Sequence, residues 1–156
     1  MSAAQERHVS RIVAGVDGSP CSVRALRWAV QQARLTGGSV DAVLAWEYPT
    51  SYGGHAWVPY GFAEGTEFGE AAERTLADSI SQATDPDDGV NVRPKVVRGN
   101  PAQALLEAAQ GADLLVVGNR GHGGFTAALL GSVAQNCVYH AGCPVVVIRD
   151  HRSSSG

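Results

Sequence analysis

The chain has 156 residues, 44% of them hydrophobic and 17% charged, with a formal net charge of −3. This is the size and make-up of one globular domain with a sizeable core. Lysine occurs once, at Lys95, and the eleven arginines are scattered, so there is no basic cluster of the kind that grips a nucleic-acid backbone. No apolar stretch approaches the ~20 residues that a membrane span requires.

Residues 1–8 are polar, lack the apolar centre of a signal peptide and are expected to form a flexible arm. Val9 to Val16 reads as the first strand. Asp17-Gly18-Ser19-Pro20 turns the chain into a helix, with Ser19 as N-cap and Pro20 at the first helical position. Leu26, Ala29, Val30 and Ala33 form the apolar stripe of that helix, and Gly37-Gly38 ends it. Asp41 to Trp46 is the second strand.

Residues 47–65 break the pattern, with Tyr48, Tyr52, Trp57, Tyr60 and Phe62 among glycines and prolines. So long a loop is either a cover or contact surface, or a flexible insertion. Thr66 to Ala83 reads as the second helix, with Phe68, Ala72, Leu76 and Ile80 on one face. Asp85-Pro86-Asp87-Asp88-Gly89 is a turn without the ligand alternation of a calcium loop. Asn91 to Arg98 is the third strand, and Pro94 within it predicts a sheet edge. Asn100-Pro101 starts a third helix with Leu105 and Leu106 inward, closed by Gly111. Asp113 to Val117 is the fourth strand, Leu129 to Ala141 a fourth helix ended by Gly142, and Val145 to Arg149 the fifth strand. Residues 9–149 are expected to form one domain, and 150–156 a flexible tail. Strands alternating with helices imply a parallel sheet covered on both faces.

The three cysteines, Cys21, Cys137 and Cys143, are an odd count, which argues against a disulfide framework and for a reducing cytoplasm. Cys137-x2-His140-x2-Cys143 has metal-like spacing, but Gly142 interrupts the helix and no fourth ligand stands nearby, so buried structural cysteines are expected.

The stretch that carries chemistry follows the fourth strand: Gly118-Asn119-Arg120-Gly121, nine residues, then Gly131-Ser132. Glycines where a strand ends and a helix begins leave backbone N–H groups open to an anion, and the helix dipole favours negative charge there. Ser132 adds a hydroxyl, and Arg120 and His122 add possible positive charge. The other reading of such glycines is a plain turn. No Walker A sequence occurs, and Gly121-His122-Gly123-Gly124 only partly imitates a dinucleotide fingerprint. Ser132 also lacks the G-x-S-x-G context of a nucleophile elbow, so no catalytic residue is assigned.

Gly118-x2-Gly121-x9-Gly131-Ser132, together with Ile12 to Ser19 and Cys143 to Arg149, resembles the ATP-binding branch of the universal stress protein family over nearly the whole chain. The resemblance implies a single doubly wound α/β sheet of five parallel strands in the order 3-2-1-4-5. Strands one and four then meet where the winding reverses, which is where open α/β sheets bind ligands. It further implies an ATP site built from Gly15, Val16, Asp17, Ala45, Trp46, Val117, Gly118, Arg120, Gly121, His122, Gly131, Ser132 and Val133. Gly131-Ser132-Val133 would meet the outer phosphates, and the backbone near Ala45-Trp46 the adenine, with Trp46 in place of the family's usual small or aliphatic residue. Magnesium would accompany ATP near Asp17 or Ser132. Asp17 has a second reading, an Asx-type turn that needs no ligand. His122 has one too, as a solvated loop histidine. The resemblance also implies a homodimer through Val145, Val146, Val147 and Ile148. The functional expectation is a small regulatory stress-response module that holds ATP and is at most a slow ATPase. An ATP-hydrolysing or nucleotide-transferring enzyme and a ligand-free dimeric adaptor are the alternatives.

Overall fold

A computed structural model describes residues 9–47, 68–120 and 130–149. The elements are β1 (Arg11–Gly15), α1 (Pro20–Thr36), β2 (Ser39–Trp46), α2 (Phe68–Ala83), β3 (Asn91–Arg98), α3 (Pro101–Ala108), β4 (Leu114–Gly118), α4 (Ser132–His140) and β5 (Val145–Ile148). The aromatic loop lies outside the described residues except for Glu47, as do the two terminal segments, Leu129, Gly121 and His122.

Local signals account for the ends of α1. The Ser19 hydroxyl accepts from the Ser22 N–H, Pro20 opens the first turn, and Gly37, at φ 71°, donates its N–H to the Ala33 carbonyl. Asn100 caps α3 in the same way, its side chain accepting from the Gln103 N–H. Gly38 must be small for a different reason: a Cβ there would overlap the Ser10 backbone, which accepts the Ser39 N–H at 2.9 Å.

The sheet is entirely parallel, in the order β3-β2-β1-β4-β5. Pro94 therefore sits on an edge strand, opposite Ala42. Pairing moves several expected boundaries. Ser39 pairs with Arg11, which starts β2 two residues early. Gly118 pairs with Ile148, which extends β4 by one residue. Leu106 is only partly buried, and α3 turns Ala102, Ala104 and Leu105 inward instead.

Strand alternation sorts the core into two layers. On one face Ile12, Ala14, Val40, Leu44 and Trp46 pack under α1 and α2, with Leu26, Ala29, Phe68, Ala72 and Leu76. On the other, Val13, Val43, Leu115 and Val117 pack with Leu105, Ala109, Ala134 and Cys137 of α3 and α4.

Asp41 does not fit the apolar alternation. It sits in β2 between Val13 and Arg93 in register and is 0% exposed. Its carboxylate accepts from Arg93 Nε at 2.7 Å and Arg11 Nη1 at 3.0 Å, with Lys95 Nζ at 3.3 Å. Burial pushes the Asp41 carboxyl up, but the hydrogen bonds from Arg93 and Arg11 and the charges of Lys95 and Arg93 outweigh it and hold the group below its ordinary value. Arg11 also donates to the carbonyls of Ala108 and Gln110, so this network ties β1, β2 and β3 to the end of α3.

The cysteines behave as core residues. Burial, with Cys143 nearby, pushes the Cys137 thiol up to about 11. Burial also raises Cys143. All three are free thiols, and no group of three or more His, Cys, Asp or Glu able to hold a metal ion occurs among the described residues.

Candidate functional site

The winding reverses between β1 and β4, so the crevice beyond their carboxyl ends is bounded by Gly15 to Asp17 on one lip and by Val117 to Arg120 on the other. β2 contributes beside β1. The Val43 carbonyl accepts the Val16 N–H at 2.8 Å, whereas the Trp46 carbonyl points the opposite way, accepting the Gly99 N–H at 2.8 Å. By strand alternation, the N–H and C=O of Ala45 share the side of Val43. They project past the last paired residue of β1, Gly15. The main chain of Ala45 thus faces the crevice.

Trp46 is turned into the core. Its ring stacks on Phe68, 6.1 Å between centroids and 18° between planes, and Arg98 lies 5.8 Å from its centroid. The bulk that distinguishes this position is absorbed by α2, and the crevice keeps the small Ala45. Val16 and Val117 are buried by their side chains, so only their backbone is placed to meet a ligand.

Asp17 forms the turn that its sequence context allows: Oδ1 accepts the Ser19 N–H at 2.9 Å, while its own N–H donates to Ser22 Oγ at 3.2 Å. The Asx turn is therefore present, and it fixes the carboxylate at the mouth of the crevice, half-buried.

Gly118 is placed by close packing. A Cβ on it would stand 2.7 Å from Cys21 Sγ and 3.2 Å from the Cys21 carbonyl carbon and oxygen, so the end of β4 lies flush against the first turn of α1. Only a residue without Cβ permits this approach.

α4 begins at Ser132 with Gly131 as N-cap, at φ −71° and ψ 169°, and no side chain caps it. The Gly131 N–H is directed to the Asn119 carbonyl at 2.6 Å, and the Gly131 carbonyl accepts from the Gln135 N–H at 2.9 Å. The donors that the helix start leaves without intrahelical partners, besides that of Gly131, are therefore those of Ser132, Val133 and Ala134, beside the Ser132 hydroxyl. Arg120 is half-buried, and its Nε is a buried donor with no hydrogen-bond partner among the described residues. A buried guanidinium nitrogen without an acceptor is costly.

Sequence reasoning missed the part played by Asn119 and Cys21. Asn119 stands inside the glycine motif, and nothing local marks it, because its partners lie on α1, β5 and the start of α4.

An open parallel sheet, doubly wound, with its winding reversed between β1 and β4, defines the class of α/β protein whose crevice lies at the strand ends. The sequence profile of the Universal stress protein family matches residues 8–149. The chain belongs to that family. A universal stress protein of Mycolicibacterium smegmatis is 36% identical over 155 residues, covering 93% of this chain and 48% of that protein. One from Mycobacterium tuberculosis is 37% identical over 140 residues, covering 88% and 43%. The chain thus spans about half the length of the curated relatives it matches. Among solved structures, a universal stress protein in complex with cAMP superposes with a TM-score of 0.67 at 26% identity, covering 90% of this chain and 97% of that one. The universal stress protein of Archaeoglobus fulgidus in complex with dAMP gives 0.64 at 25% identity, covering 90% and 98%.

Proposed function

We propose that the chain binds an adenine nucleotide, ATP with magnesium, and acts as a stress-response regulatory module that holds the nucleotide rather than turning it over quickly. The observation that carries this reading is the start of α4, tied by the Gly131 N–H to Asn119, the residue before Arg120, whose buried Nε has no partner among the described residues. Together they make a cradle for a group of negative charge at a helix N-terminus. The cAMP and dAMP complexes of structural neighbours support an adenine nucleotide as the occupant.

In this reading the main chain of Ala45 offers a donor and an acceptor to the adenine edge. Gly15, Val16, Val117 and Gly118 line the ribose through bare backbone, and Asp17 stands at the mouth to meet a hydroxyl or a magnesium-bound water. Ser132 and Val133 give N–H groups, and Ser132 its hydroxyl, to the phosphates. Arg120 supplies charge, and Gly121 and His122 belong to the same stretch. Magnesium would screen the phosphates near Asp17 or Ser132.

Calorimetry with ATP plus magnesium, AMP and cAMP tests the reading. Binding of ATP plus magnesium more tightly than the monophosphates is expected. Failure of all three to bind at millimolar concentration rejects it. Phosphoryl transfer also needs an oriented nucleophile and concentrated positive charge on the outer phosphates. The described crevice offers backbone donors, a hydroxyl and one arginine. Turnover far below the ~10 s⁻¹ typical of enzymes is therefore expected in a steady-state phosphate-release assay. A rate near that figure would make the chain an enzyme.

The same proposal extends to assembly and place. β5 is an edge strand whose Val145 to Ile148 are all apolar and only partly buried. Pairing with a second copy along this edge would cover them. A twofold homodimer at micromolar concentration is the expected light-scattering result, and a monomer alone would count against it. A reducing cytoplasm suits three free cysteines.

A further inference from the structure

Asn119 is the point where four elements meet. Its N–H donates to the Ile148 carbonyl at the end of β5 at 2.8 Å, and its own carbonyl accepts the Gly131 N–H at the start of α4 at 2.6 Å. Its side-chain Oδ1 accepts the thiol of Cys21, on the first turn of α1, at 3.3 Å. The same thiol lies 3.4 Å from the Ile148 carbonyl, so one proton is shared between two acceptors. Asn119 is 5% exposed and Cys21 likewise 5%. Gly118 lies so close to Cys21 that a Cβ on it would stand 2.7 Å from Sγ.

Nothing in nucleotide chemistry requires these two side chains. Neither adds charge, and neither is an exposed donor aimed at a ligand. Their geometry does something else. The Gly131 N–H bond sets where α4 begins, and hence where the Ser132 and Val133 donors point. That bond hangs on a carbonyl whose residue is pinned on one side by β5 and on the other by α1. We propose that Asn119, held by Cys21, is a positioning residue. It sets the N-terminus of α4 as an anion cradle and couples that cradle to the end of β5. The proposal rests on the nucleotide reading for its consequence, but not for its geometry. Shifting the end of β5, by pairing along its edge or otherwise, would be felt at the cradle through the Ile148 carbonyl.

The test uses Asn119→Ala, Cys21→Ala and Cys21→Ser in the full chain, with two readouts. The first is exchange of the Gly131 amide followed by NMR, with Val13 and Leu115 as internal references. Both alanine variants are expected to exchange Gly131 about tenfold faster or more, with the references at wild-type rates, since only the local opening is changed. Cys21→Ser keeps a hydroxyl donor for the same acceptors and is expected within about threefold of wild type. The second readout is ATP affinity beside the melting temperature. A loss of about tenfold in the alanine variants, retained binding in Cys21→Ser, and no further loss on combining Asn119→Ala with Cys21→Ala are expected for residues acting as one unit. Unchanged Gly131 exchange in Asn119→Ala overturns the proposal. So does a Cys21→Ser variant as impaired as Cys21→Ala, because the thiol would then be mere packing. A wild type that binds no adenine nucleotide rejects the nucleotide reading alone, and the exchange readout still decides the role of Asn119.

Discussion

Gly131→Val is expected to weaken binding of ATP plus magnesium at least ~100-fold in calorimetry, a loss of about 2.7 kcal/mol or more, while the circular dichroism spectrum stays that of the wild type. The split between binding and fold has a geometric cause. At φ −71° and ψ 169° Gly131 is in extended backbone, which valine adopts without strain. Its N–H bond to Asn119 and its carbonyl bond from Gln135 do not involve a side chain. Valine forgoes no side-chain cap here, because glycine supplies none. A branched side chain at the N-cap would instead crowd the approach to the first turn of α4, where the N–H groups of Ser132 and Val133 are proposed to meet an anion. Equal affinity in wild type and variant would place the phosphates elsewhere. A variant that loses the fold as well would show that the α4 start is structural.

Asp41→Ala is expected to lower stability by about 3 kcal/mol, the scale of removing one partner from a buried ion pair. For a chain of this size that is roughly 10 °C in melting temperature. The magnitude lies at the lower end of that range because the partners left behind can partly rehydrate: the side chains of Arg11, Arg93 and Lys95 are 28%, 45% and 48% exposed. Two effects remain. Arg11 loses the anchor that aligns it on the α3 carbonyls, and the positive charges of Arg11, Arg93 and Lys95 lose the carboxylate that holds them together.

The same carboxylate sets a pH dependence. Its folded-state value is held below the ordinary one. The stability it contributes is therefore fully present above the unfolded-state value of about 3.9 and is lost as pH falls through the folded value. Thermal melts should show the wild type losing part of its margin over Asp41→Ala as pH drops below about 4. A gap between the two that is constant from pH 7 to pH 3 would show that Asp41 acts by packing alone.

The chain's elements were legible because their signals are local. Ser19-Pro20 and Asn100-Pro101 announce helix starts, and Gly37-Gly38 announces a helix end, through hydrogen bonds within a few residues. Pro94 announced an edge strand because a missing N–H is tolerated there. The strand order followed from the resemblance, not from periodicity. Two glycines of the motif marked element ends, Gly118 at the end of β4 and Gly131 before α4, because main chain in close packing has few residue types to choose from.

The tertiary structure alone decided the rest, and in each case pairing register was the reason. Asp41 reads as the polar start of a strand, yet register sets it beside Arg93 and within reach of Arg11 and Lys95 as a buried hub. Trp46 stands where the resemblance implies a small or aliphatic residue. The alternation that turns its carbonyl to Gly99 also turns its ring to Phe68, and leaves the main chain of Ala45 facing the crevice. Gly131 reads as a phosphate donor, yet its N–H is directed to the Asn119 carbonyl, so the N–H groups without an intrahelical partner begin at Ser132. A period of two or of 3.6 says which side of its own element a residue occupies. Which residue of another element arrives opposite it depends on crossovers tens of residues long, and those contacts form only when the sheet closes.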